Sequence, residues 1–400
     1  MARPQRSNVW SYDKKVYLRN LCNLWLIRMS LRQVFCQDKA IGTLQRAFSA
    51  GKVPHAYIFA GAEGVGKLKT AREWAKLLLC KNPVIENDFA DSCGLCQSCK
   101  LFEAGSHPDF HHIYKELVEF TKEPKGSKTP VDLRIDVIRE FLIEKVFTKP
   151  TLSQRKVFVV GEAEKLNASS QNALLKVLEE PPEYCCIILL CTRMEKLLPT
   201  TKSRCQTVRF GPIDEARIIE KLREMHTEQK QAQYFARLSQ GSLGTACQWA
   251  QLELAGANLY RIKTELLRGL ARLDLADALE LAEQFLDASK KIAAIWSELD
   301  PATSKSDINR RAQKTLIQII ISALHDAMKL NVTPAAPAFN FDQEGQINEL
   351  AGRFGPEQAA QKIADCYTSL RWIESAVNEK LVFEQLLLNL VSPDIIQVDH

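Results

Sequence analysis

Hydrophobic positions along this chain follow two regimes. Up to about residue 210, short continuous apolar runs stand out at 56–60, 110–114, 156–160, 184–191 and 207–210. Runs of four to eight apolar residues bounded by polar ones predict buried strands. Helical patterns lie between most of them, over about 68–80, 133–146 and 168–180. Strands alternating with helices predict a parallel sheet covered on both faces. The third helix is the best delimited. Asn167 can cap its start, Leu174, Leu175 and Leu178 form an apolar stripe, and Pro181-Pro182 ends it. Residues 121–130 are polar and rich in breakers, which predicts an exposed loop. A short helical region follows at 212–251. From about Glu253 to Val391 the pattern is helical almost throughout, interrupted by a Pro/Ala-rich stretch at 331–340.

These shifts divide the 400 residues into an extension (1–28), an α/β domain (29–211), a small helical domain (212–252) and an all-helical region (253–400). At 46% apolar and 25% charged, the composition can bury a sizeable core. A net charge of +5 permits contact with nucleic acid without arguing for it. No apolar run approaches bilayer-spanning length, so a soluble, cytoplasmic chain with no membrane partner is expected. The extension is basic, with Asp13 its only acid, and it precedes a second methionine, Met29. An organellar transit peptide has such a composition, but the reading adopted is a flexible extension or a start called too early.

Candidate chemistry begins directly after the first predicted strand. Gly61-Ala-Glu-Gly64-Val-Gly66-Lys67 leads into a helix, the spacing of a Walker A loop in its strand–loop–helix context. Gly61, Gly64 and Gly66 let backbone N–H groups face a phosphate, and Lys67 reaches the outer phosphates. The next position should carry a hydroxyl for Mg²⁺, but it is Leu68, and leucine cannot ligate a hard cation. After the strand 156–160, the metal-organising aspartate of a Walker B strand is replaced by Gly161, followed by Glu162. Glu162 reads as a solvated acid rather than a relic catalytic base. With neither metal-organising oxygen present, nucleotide binding stays open but turnover is not expected.

Twelve cysteines are many for a cytosolic chain, and Cys80, Cys93, Cys96 and Cys99 crowd into one stretch. Without a secretory signal, such clustering points to metal rather than disulfides. Four thiolates with two steps of three can wrap a tetrahedral structural Zn²⁺; reduced free thiols are the bland alternative. A ferredoxin-type cluster needs a further cysteine followed by proline, where Glu103 and Ala104 stand. His107, His111 and His112 are read as non-ligands, because four sulfurs already satisfy the ion.

His55-Ala-Tyr-Ile-Phe, the long Ser170–Pro182 segment (SQNALLKVLEEPP) and Ser203-Arg204-Cys205 together resemble the clamp-loader subunits of bacterial DNA polymerase III, gamma/tau and delta-prime. The likeness runs from about Met29 to Phe210 and returns in Ala376–Glu384, which is similar to the family's collar helix. It implies an AAA+-like P-loop domain with an inserted four-cysteine zinc module at 80–99, a helical lid and an all-α collar. The family's active members carry a nucleotide-sensing arginine after Gly-Ser-Leu. Here Gly241-Ser242-Leu243 is followed by Gly244. Three losses around one pocket point to the delta-prime type. The resemblance makes Arg204 an arginine finger serving a neighbouring gamma/tau subunit, and Thr192 the family's sensor-one position. It further implies delta as a partner, and the sliding clamp and primed DNA through the complex. Competing readings are an active gamma/tau-like ATPase using Thr70 and Glu162, and a zinc-dependent nucleic-acid-binding protein. The latter lacks aromatic and basic side chains around the cysteines.

Overall fold

The structure, a computed structural model, describes residues 30–122, 132–301, 303–333, 338–375 and 377–391. The extension 1–28 lies outside them, as do most of the loop at 121–130, part of the stretch 331–340 and Ala376. By its internal packing the chain forms two units. The first runs to Asp214 and takes back Gly241–Gly244, and the second comprises Glu215–Gln240 and the residues from Thr245 onward.

The first unit is built on five parallel strands: β1 (Ala56–Ala60), β4 (Phe110–Ile113), β5 (Lys156–Val160), β6 (Cys185–Cys191) and β7 (Gln206–Arg209), in the order β4-β5-β6-β1-β7. β1, β5 and β6 are buried along their whole length, which is why they read as continuous apolar runs rather than alternating ones. Alternation survives in which face each residue serves. Ile58, Phe158, Val160, Ile187 and Leu189 join one core with α4 (135–146) and α5 (Ala168–Glu179). Tyr57, Phe59, Val157, Val159, Ile188 and Leu190 join the other with α1 (Asp38–Ser49) and α2 (Lys67–Leu79). Asn167 caps α5 as expected, its side chain accepting from Ser170 N at 2.8 Å. The middle of α4, Arg139–Ile143, widens into a π turn that the sequence pattern does not announce.

Between Cys80 and Cys93 the chain forms a hairpin, β2 (Val84–Glu86) with β3 (Phe89–Asp91), turned by Asn87 and Asp88, both at positive φ. Helix α3 (Gln97–Glu103) follows it. The short helix α6 (Pro199–Ser203) joins β6 to β7.

The second unit is all-helical among the described residues. Its longest members are Ala278–Leu299 and Lys305–Val332, which pack on each other and on Pro356–Glu374 and Glu379–Val391. Its core includes a buried cation: Lys263, fully inaccessible, meets Asp342 at 2.5 Å and lies over the rings of Tyr234 and Tyr260.

Candidate functional site

The glycine loop leaves the carboxyl end of β1. Gly64 and Gly66 adopt positive φ (74° and 101°), and α2 begins at Lys67. Gly61 can be nothing else: a Cβ there would stand 2.6 Å from the Phe210 carbonyl oxygen. The Lys67 ammonium does not project freely. It is buried and donates to the carbonyls of Gly61 (2.7 Å) and Ala62 (2.6 Å). Burial pulls its pKa down, against the opposing pull of Glu164 and Glu63.

Around this loop the positions that would organise a metal have other occupations. Leu68 packs against the core that contains Tyr57 and Phe59. Thr70, the alternative hydroxyl, is fully buried and donates to the Gly66 carbonyl at 3.0 Å, one turn back along its own helix. At Gly161, which offers no carboxylate, an added Cβ would meet nothing closer than His112 Nε2 at 3.6 Å, an ordinary van der Waals contact. Glu162 adopts a left-handed conformation and pairs with Lys165 and, at 3.7 Å, with Lys115. Glu164 carries the more pointed contact. Its carboxylate accepts from Thr192 Oγ1 (2.5 Å) and Thr192 N (3.2 Å), tying together the ends of β5 and β6.

Gly244, where active members carry the sensing arginine, sits on the loop itself. Its N–H donates to the Gly64 carbonyl at 2.8 Å, and a Cβ there would fall 2.9 Å from Gly64 Cα. No side chain fits in that place.

Arg204 lies at the other end of the sheet. It follows α6 and precedes β7, whose Gln206 pairs with Tyr57 at the start of β1, whereas the glycine loop starts beyond Ala60. The four steps from Tyr57 to Gly61, at 3.3 Å each, separate the two by roughly 13 Å along the strand. The Arg204 side chain is about one-third exposed. Nη2 meets Glu179 Oε1 at 2.8 Å and Nη1 donates to Thr200 O at 3.0 Å.

The four cysteines converge. Cys80 closes α2, Cys96 caps α3 and Cys99 lies one turn inside it, and their Sγ atoms with that of Cys93 all lie within 4.8 Å of one another. Cys80 Sγ is 3.6 Å from Cys93 Sγ and 4.0 Å from Cys96 Sγ. A tetrahedral ion with Zn–S bonds of about 2.3 Å would set sulfurs roughly 3.8 Å apart. Backbone N–H groups already point at the sulfurs: Cys93 N to Cys80 (3.3 Å), Cys96 N to Cys93 (3.3 Å) and Cys99 N to Cys96 (3.5 Å). Burial raises the Cys80 and Cys99 thiols, whereas at Cys96 the N–H groups of Cys99 and Lys81 outweigh burial and bring the thiol down to about 6. The donor set therefore fits a metal ion.

His107 stays out of the cluster but braces it. Its Nδ1 accepts from Asp109 N (3.1 Å), which leaves Nε2 as the protonated nitrogen, facing Ser98 Oγ (2.8 Å) and Ser153 Oγ (3.3 Å). Both hydroxyls donate to Leu79 O, the carbonyl beside Cys80. His111 is also no ligand; it stacks on Phe158, and burial pushes it down to about 3.

Comparison with known proteins bears on the family. The family described as "DNA polymerase III, delta subunit" matches residues 36–214, and "DNA polymerase III, delta subunit, C terminal" matches residues 260–392. The chain belongs to the DNA polymerase III delta-prime family. DNA polymerase III subunit delta' of Escherichia coli is 29% identical over 350 residues, 87% of this chain and 92% of that one. Subunit delta' of Pseudomonas aeruginosa is 39% identical over 151 residues, 38% of this chain and 41% of that one. Subunit tau of Escherichia coli is 30% identical over 308 residues, 75% of this chain and 44% of that one. The chain thus spans under half the length of these last two relatives. No helix among the described residues is long and apolar enough to cross a membrane.

Proposed function

We propose that this chain is a non-hydrolysing subunit of a DNA polymerase III clamp loader, and that it supplies Arg204 in trans to the ATP site of a neighbouring gamma/tau-type subunit. The observation that carries the reading is Leu68, packed against the core where the loop would need a hydroxyl for Mg²⁺. Gly161 and the self-bonded Lys67 support it. Thr70, committed to the Gly66 carbonyl, weighs against an active gamma/tau-like ATPase with an unconventional metal shell.

Arg204 is separated from this chain's own loop by the length of β1, which favours service to a neighbour. A permanently charged planar fork stabilises charge on a transferring phosphoryl group, and such arginines supplied in trans contribute about 10³–10⁵ in rate. The four cysteines hold a structural Zn²⁺ with no open position, so the metal braces residues 80–99 and does no chemistry. The lid spans 212–252 and the collar 253–400, the collar joining gamma/tau and delta subunits in one assembly. Through that complex the chain helps place the sliding clamp on primed DNA in the cytoplasm.

ATP hydrolysis by the isolated chain, and by the assembled loader with wild type or Arg204→Ala, tests the reading. Negligible turnover alone and a fall of about 10³-fold at the adjoining site in the mutant assembly are expected. Robust turnover by the isolated chain would return the ATPase reading.

A further inference from the structure

Glu179 stands in the last turn of α5, with the helix's unpaired carbonyls beside it. A carboxylate at that end opposes the helix dipole and costs helix stability instead of adding to it. Its position is not explained by α5 itself. What it touches is Arg204, at 2.8 Å through Nη2.

The same guanidinium is held on its other nitrogen by Thr200 O (3.0 Å), with Ser203 Oγ at 3.4 Å, both from the short helix that precedes it. A free arginine side chain loses rotamer freedom when it is ordered. Here two separate elements, the end of α5 and the short helix α6, fix the plane of the fork before any partner is present. These contacts engage Nη1 and Nη2. We infer that Glu179 is a positioning residue for Arg204, presetting the guanidinium for the phosphoryl group of the neighbouring site. This rests on the finger reading of Arg204 given above.

Both partners are partly exposed, about one-third for Arg204 and one-half for Glu179. The effect is therefore that of a solvent-screened pair and not of a buried one. In a reconstituted loader, Glu179→Gln lowers kcat for ATP hydrolysis about two- to fivefold, the range such a pair supports, and leaves the KM for ATP unchanged. Glu180→Gln, the exposed acid next to it, leaves kcat at the wild-type value. The deciding measurement is the cycle with Arg204→Ala. In that background Glu179→Gln has no further effect, because a positioning residue has nothing left to position.

An equal loss in both backgrounds would make Glu179 merely structural and overturn the inference. So would a wild-type or raised kcat for Glu179→Gln in an assembly that Arg204→Ala impairs. If Arg204→Ala itself changes nothing, the finger reading falls and this one falls with it. The three results are distinguishable within one set of assays.

Discussion

Replacing Asp109 by alanine tests how the sheet edge, the loop before β5 and the cysteine module are held together. Asp109 is fully buried, and its carboxylate accepts three backbone N–H groups: Thr151 at 2.6 Å, Leu152 at 2.8 Å and Ser153 at 2.8 Å. Hydrogen bonds to a charged group contribute about 1.5–3 kcal/mol each, but the three donors lie in a partly exposed loop that water can reach after the change. The summed value is therefore an upper bound, and a loss of about 3–5 kcal/mol is expected, the scale for breaking a buried charged network. For a unit of this size that corresponds to a drop in Tm of roughly 6–20 °C, read by circular dichroism on the full chain. Burial alone would raise the Asp109 pKa, but the three N–H groups prevail and hold it below the usual carboxylate value. The sign follows from that depression. The stabilisation is present in full above the unfolded value of about 3.9 and is lost as pH falls through the lower folded value. The gap between wild type and Asp109→Ala is thus complete at pH 7 and closes only below about pH 4. A Tm change under 2 °C at pH 7, or a gap that closes near neutrality, would refute the reasoning.

Two further outcomes are expected. Purified chain carries one zinc ion, and Cys99→Ser, which alters a fully buried ligand, lowers bound zinc measured by atomic absorption well below one per chain. Gly244→Arg forces a Cβ to within 2.9 Å of Gly64 Cα. It should lower stability by about 1–3 kcal/mol, the cost of overpacking, read as a fall in Tm, and should not restore ATP hydrolysis in the isolated chain.

Much of the first unit was legible because its strands are buried on both faces. Runs such as Lys156–Val160 and Cys185–Cys191 leave no alternative to a covered parallel sheet, and Asn167 and Pro181 mark α5 at both ends. The hairpin β2–β3 was missed. Its strands are three residues long and β2 is exposed throughout, so neither length nor burial marks it; the one available signal was Asn87-Asp88, a pair suited to positive φ. Leu68 and Gly161 could be judged from residue type alone, since the chemistry of oxygen ligands is absolute. The grip of Glu164 on Thr192 and of Glu179 on Arg204 could not. Each joins residues that are 28 and 25 positions apart, brought together only by the order of the sheet.

The small return of Gly241–Gly244 to the first unit has a practical consequence for anyone dissecting the chain. A fragment ended at Asp214, where the sheet-bearing segment closes, would strip the Gly64 carbonyl of its N–H donor and the Ile213 N–H of the Gly241 oxygen 2.9 Å away. Such a piece would lose the strap across its own glycine loop, and any nucleotide it captured would report on the amputation and not on the intact molecule.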